Sequence, residues 1–177
     1  MDYALEFFFD AASDEAVRGL WRCTGDDYLP RVNSRPHVTT GVFSGTDIGG
    51  ACEALQKAAL GIPAFPMVFA SVGAFTHPRP WLFLAPVVTD ALLALHRRLH
   101  AALSFCGEAD AHYIPGNWVP HCALAPAQDV RALAGAAGKV FAAFSPFTAQ
   151  VEEIGWVELS RPVRQVAGVR LPHPGEF

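Results

Sequence analysis

Two Pro-His dipeptides, Pro36-His37 and Pro120-His121, stand at matching places in two halves of this chain. Imidazole titrates near neutrality, so one such ring can take a proton and a second can give one. Two imidazoles brought face to face across a cleft form an acid–base pair. The residues around each histidine repeat as well. His37 opens the apolar run HVTTGVF, followed by a helical stretch from Asp47 to Leu60 and by FPMVFASVG ending at Gly73. His121 opens HCALA, followed by a helical stretch from Asp129 to Phe144 and by FTAQVEEIG ending at Gly155. Phe65 and Gly73 stand downstream of His37 at nearly the distances that Phe147 and Gly155 keep from His121. A strand, a helix and a long loop rich in Gly, Pro and Asp precede each histidine. A duplicated unit of this kind sets equivalent positions across a pseudo-twofold axis.

The elements that must position the histidines follow from periodicity and punctuation. Tyr3 to Phe9 reads as a first strand, and Ser13 and Asp14 open a helix with Val17, Leu20 and Trp21 on its apolar stripe, stopped by Gly25. Met67 to Phe75 and Trp81 to Val87 read as strands joined by His77-Pro78-Arg79-Pro80. Thr89 or Asp90 caps a helix carrying Leu92, Leu95, Leu99 and Leu103, and a loop from Gly107 to Trp118 leads to His121. Thr148 to Glu158 and Pro162 to Leu171 read as closing strands. Strand residues alternate faces, so His37 shares its face with Thr39, and His121 shares its face with Ala123. The expected fold is α+β: a bilobal internal duplication, two antiparallel sheets facing a central cleft with helices outside. The expected organisation is a single domain over residues 1–177, each lobe contributing one histidine motif.

Composition sets limits on partners. Across 177 residues, 51% are hydrophobic and 17% charged, with mean hydropathy +0.24, which suits a folded core and excludes disorder. No apolar run approaches the ~20 residues of a membrane span, and no basic segment precedes the Leu5–Phe9 stretch, so neither a membrane partner nor a signal peptide is expected. Cys23, Cys52, Cys106 and Cys122 form no CxxC pair and read as free thiols of a cytoplasmic protein. A net charge of −4 argues against a chain that holds long nucleic acid through many phosphates.

The paired motifs resemble those of the two-histidine (2H) phosphoesterase superfamily, which includes 2′-5′ RNA ligase-like proteins and cyclic nucleotide phosphodiesterases. The family signature is two copies of His-hydrophobic-Ser/Thr-hydrophobic, one per lobe. The first copy here is His37-Val38-Thr39-Thr40 and the second His121-Cys122-Ala123-Leu124, so the second hydroxyl of the signature is missing. The resemblance implies an enzyme, a hydrolase or ligase acting by two-histidine catalysis on a 2′,3′-cyclic phosphate or a 2′-5′-linked RNA end. His37 and His121 would be the acid and base, with Thr39 holding a phosphate oxygen. This chemistry calls for no metal and no cofactor. The expected partner is an RNA end, a cyclic nucleotide or a small phosphodiester, and the expected state a monomer. The alternative is a nucleotide- or phosphate-binding module that lost turnover with Ala123.

Other residues are weighed beside these. Arg35, next to the first Pro-His, could reach a phosphate, its direction left open by the intervening Pro36. Tyr113 in the long loop could stack on a base or pack the loop down, whereas Trp118 reads as packing. His96 and His100 have the spacing of a metal-binding helix face but flank two arginines without a glutamate, and read as a solvated face; a metal hydrolase built on them is the third reading. His77, His112 and His173 read as surface histidines, and Arg161, Arg164 and Arg170 as a solvated outer face.

Overall fold

The structure is a computed structural model and describes residues 1–173. Its strands are β1 (Asp2–Phe9), β2 (His37–Ser44), β3 (Phe65–Phe75), β4 (Trp81–Pro86), β5 (Glu108–Ala109), β6 (Cys122–Pro126), β7 (Phe147–Glu158) and β8 (Arg164–Arg170). The helices are α1 (Ala11–Thr24), α2 (Tyr28–Arg31), α3 (Ile48–Ala59), α4 (Asp90–Ala102) and α5 (Val130–Ala143). All strand pairs are antiparallel, as the α+β expectation has it. Two sheets are expected from the sequence; the described strands join edge to edge in one eight-stranded sheet, in the order β5-β2-β1-β7-β3-β4-β6, with β8 alongside β7. Strand β7 makes the join. Its first residues pair with Phe65 to Phe69 of β3, and its later ones lie between β1 and β8.

Exchanging the two repeat units maps β1 onto β4, β2 onto β6 and β3 onto β7. The stretch β2-β1-β7-β3-β4-β6 then reads the same from either end, so the sequence repeat is a repeat of topology. The helices follow the same symmetry, with α1 packed on α5 and α3 on α4. Both histidine strands carry a bulge at the same place. Leu5 faces Gly41 and Glu6 faces Thr39, which leaves Thr40 as the extra residue; Leu82 faces Ala125 and Phe83 faces Ala123, which leaves Leu124. A bulge frees a backbone group from the ladder. The Thr40 carbonyl, so freed, accepts from His96 and His100 of α4.

Local chemistry explains the element ends. Asp10 caps α1 by accepting from the Ser13 amide at 2.8 Å, which starts the helix ahead of the Ser13-Asp14 start read from the sequence. Gly25 ends it in the left-handed conformation (φ 79°), and Thr89 caps α4 as expected. Two short elements inside the long loops, α2 and β5, have no periodicity to announce them. The core is aromatic and aliphatic: Phe7, Phe43, Phe69, Leu99 and Trp156 are fully buried. The Trp156 indole donates to the Ala51 carbonyl, so even the largest core ring has its polar atom satisfied.

Candidate active site

His37 is the first residue of β2, and His121 immediately precedes β6, whose pairing begins at Cys122. Both line one cleft of about 560 Å³, together with Thr39, Ala123 and Tyr113. Alternation holds along both strands. Val38, Thr40, Cys122 and Leu124 are buried on the opposite face, and His37, Thr39, His121 and Ala123 are only partly covered.

The two imidazoles are fixed in the same way. His37 Nδ1 lies 2.6 Å from the Arg35 carbonyl, and His121 Nδ1 lies 2.8 Å from the Val119 carbonyl. A carbonyl oxygen only accepts, so Nδ1 carries the proton in each ring and Nε2 is the nitrogen left for chemistry. Each acceptor sits two residues upstream, across the proline.

Their surroundings differ. Phe75 meets the His121 ring edge-on at 4.9 Å between centroids, and Phe83 lies at 5.4 Å. Burial pushes the His121 pKa down; the bond to Val119 raises it, and the nearby His37 lowers it further. His121 is therefore disposed to stay neutral. His37 Nε2 instead lies 3.4 Å from Oε1 of Glu6, a buried carboxyl on β1. Burial raises the Glu6 pKa, while His37 and Arg35 pull it back. Glu6 escaped the sequence reading, although one signal was present: a lone acid in an apolar strand must find a partner.

Arg35 does not line the cleft. Its guanidinium is held by Gln165 at 2.6 Å and Glu153 at 3.3 Å and lies over the Phe8 ring, so what it presents to His37 is the carbonyl that orients the ring. Tyr113 does reach the cleft, half-covered, and burial raises its pKa. Trp118 packs: it stacks on His96 at 4.0 Å and donates to the Thr39 carbonyl, which fixes the backbone of the first motif. Across the pseudo-twofold, the Trp21 indole does the same for the Ala123 carbonyl.

His96 and His100 are not a solvated face. His96 is 1% exposed, and both rings direct Nε2 at the single Thr40 carbonyl, so these nitrogens already have a partner. Among the described residues no group of three or more His, Cys, Asp or Glu is placed to hold a metal ion. His77 and Arg79 come to the mouth of the cleft from the β3–β4 turn, and His112, for which the sequence favours a surface role over a reach into the cleft, comes to it from the long loop. No described helix is long and apolar enough to cross a membrane.

A family model described as the 2′-5′ RNA ligase superfamily matches residues 9–162. No curated protein matches the sequence. Among solved structures, one described as a phosphoesterase is similar at a TM-score of 0.60 and 18% identity, over 97% of this chain and 98% of that one. Escherichia coli LigT, solved with 3′-AMP, is similar at 0.58 and 16%, over 97% and 98%. The protein TT0787 of Thermus thermophilus is similar at 0.57 and 18%, over 98% and 99%. These likenesses extend over the whole fold and speak for the fold alone.

Proposed function

Since the chain belongs to the 2′-5′ RNA ligase superfamily, we propose that it is a phosphoesterase that opens 2′,3′-cyclic phosphates or cleaves 2′-5′-linked nucleotide ends with two histidines and no metal. One observation carries this reading: two imidazoles from equivalent positions of a duplicated unit share a cleft, each with Nδ1 held by a carbonyl and Nε2 left for chemistry. In-line displacement at phosphorus needs a proton taken from the attacking oxygen and one given to the leaving oxygen, and two such nitrogens supply both. Thr39 stands on the His37 face as a hydroxyl donor to a non-bridging oxygen. Tyr113, Phe75 and Trp81 give the cleft flat apolar walls suited to a nucleobase. The acidic net charge favours a small nucleotide or a short end over long RNA. That LigT was solved with 3′-AMP fits a nucleotide ligand of this size.

A second reading has its own observation. Ala123 lines the cleft where a hydroxyl would complete the second motif, which suits a module that binds a nucleotide and turns it over slowly or not at all. The two readings separate on a panel of 2′,3′-cyclic nucleotides and 2′-5′-linked dinucleotides assayed with EDTA present. The phosphoesterase reading expects EDTA-insensitive turnover. It also expects that His37→Ala and His121→Ala each remove most of the rate, with the double variant little worse, because the pair acts as a unit. Binding without turnover favours the module, and full activity in both single variants removes the histidines from the mechanism.

A further inference from the structure

The duplication supplies an internal control on what surrounds each histidine. In the first half a row of cross-strand partners runs Gly155–Glu6–Thr39 through β7, β1 and β2. In the second half the equivalent row runs Gly73–Phe83–Ala123 through β3, β4 and β6. Residues directly opposite each other in neighbouring strands point to the same face, so Glu6 and Phe83 occupy one and the same place beneath the two histidines. One half puts a carboxyl there and the other a phenyl ring. We infer that Glu6 is a positioning residue that holds His37 as the proton-donating imidazolium, and thereby makes His37 the acid and His121 the base. The inference rests on the phosphoesterase reading for what the proton does.

The geometry leaves His37 one variable proton. Nδ1 is committed to the Arg35 carbonyl, so a second proton enters at Nε2, 3.4 Å from Glu6 Oε1. An uncompensated carboxylate buried at Glu6 is costly, and an imidazolium at His37, itself only partly covered, offsets that cost. Glu6 is 5% exposed, so the two share one charge balance. Other elements also face this pair. Arg35 adds positive charge to the Glu6 side, its guanidinium tied to Glu153 of β7. Tyr113 from the long loop and Cys122 of β6 both feel the Glu6 charge, and burial and that charge keep the two as neutral phenol and thiol. His121 feels the charge on His37. At the equivalent place Phe83 lies beside His121, with Phe75 against the ring, and neither offers an anion.

The step then balances. A water gives a proton to Nε2 of His121 as its oxygen bonds to phosphorus. The bond from phosphorus to the leaving oxygen breaks, and that oxygen takes the Nε2 proton of His37. Solvent exchange moves the proton from His121 back to His37, and the net change is addition of one water across the phosphodiester.

Glu6→Gln keeps size and polarity and removes the charge. It is expected to lower kcat on a 2′,3′-cyclic nucleotide tenfold or more at neutral pH while leaving KM within a few-fold. The alkaline limb of the rate profile should move to lower pH, and Glu6→Asp should restore part of both. Proton NMR of the free enzyme gives a readout apart from turnover: the His37 ring should release its proton at lower pH in Glu6→Gln than in the wild type. An unmoved alkaline limb with an unmoved His37 titration overturns the inference. In the wild type itself the Glu6 carboxyl carbon should report an ionised group at neutral pH; a neutral carboxyl there overturns it without any variant. Absence of turnover by the wild type sinks the phosphoesterase reading alone, and the two titrations still decide on Glu6.

Discussion

Ala123 shows how much a single side chain decides. Its carbonyl is pinned by the Trp21 indole at 2.9 Å and the residue lines the cleft, so a hydroxyl added there enters the cleft without moving the strand. Ala123→Ser or Ala123→Thr should raise turnover of a 2′,3′-cyclic phosphate, or tighten a phosphate analogue, by up to about 2–4 kcal/mol, the worth of a full oxyanion donor. Side-by-side steady-state kinetics of wild type and both variants check this. Unchanged rate and affinity in folded protein would mean that position 123 does not face the phosphate or that another donor already serves it. At this scale the sequence was informative where a motif repeats and silent where it does not. His37 and His121 stand out because each is the other's counterpart at the same offset, and Thr39 because it shares a strand face with His37. Glu6 has a phenylalanine as its counterpart, so comparing the halves by similarity hides it. Arg35 is adjacent to the motif, yet its side chain is drawn to Glu153 and Gln165 on strands far along the chain, and adjacency carries no direction.

The elements place the site through close approaches that glycine permits. A Cβ on Gly73 would sit 2.6 Å from Cζ of Phe83, and that ring lies 5.4 Å from His121. Gly73→Ala should therefore displace the Phe83 ring, destabilise the fold by about 1–3 kcal/mol and lower activity further than the stability loss accounts for. Urea denaturation and the chemical shifts of His121 test this together; a native-like His121 spectrum in the variant would contradict it. Repetition and alternation made the strands and their faces readable, and the N-caps of α4 and α5 fell where the sequence put them. The bulges at Thr40 and Leu124 were not readable, because the extra residue shows only in the partner strand's register. The buried stripe of α4 runs through Leu92, His96 and Leu99, with His96 where a leucine stripe alone would be drawn through Leu95. A histidine on that line is silent until its carbonyl acceptor is known.

For the whole molecule, the shared strand β7 ties both halves into one hydrogen-bonded sheet, so urea unfolding should be a single transition with coincident signals from fluorescence and circular dichroism. Its pH dependence has a defined source. Burial, with His100 next, depresses the His96 pKa from 6.5 to about 4. As pH falls below 6.5 the unfolded chain takes up a proton that the folded His96 refuses until about pH 4. Stability is therefore lost across that window, by up to about 3 kcal/mol. His96→Phe keeps a ring for Trp118 and should flatten that slope even where it lowers stability throughout; an unchanged slope would assign it elsewhere. The order of the strands was implicit in the repeat, whereas the join through β7 depends on which edges meet, and no local pattern records that. The arrangement around this join has a further meaning. The β3–β7 seam, with its antiparallel register about one centre, is the contact that two identical chains make in an isologous homodimer. The first helix of each unit reaches across it, Trp21 to Ala123 and His96 to Thr40, as in an exchange of arms between protomers. Two identical protomers must carry the same residue at both copies of every position, which forbids a carboxyl beneath one histidine and a phenyl beneath the other. Joining them in one polypeptide removes that constraint, and Glu6 against Phe83 is a difference only the fused chain can hold.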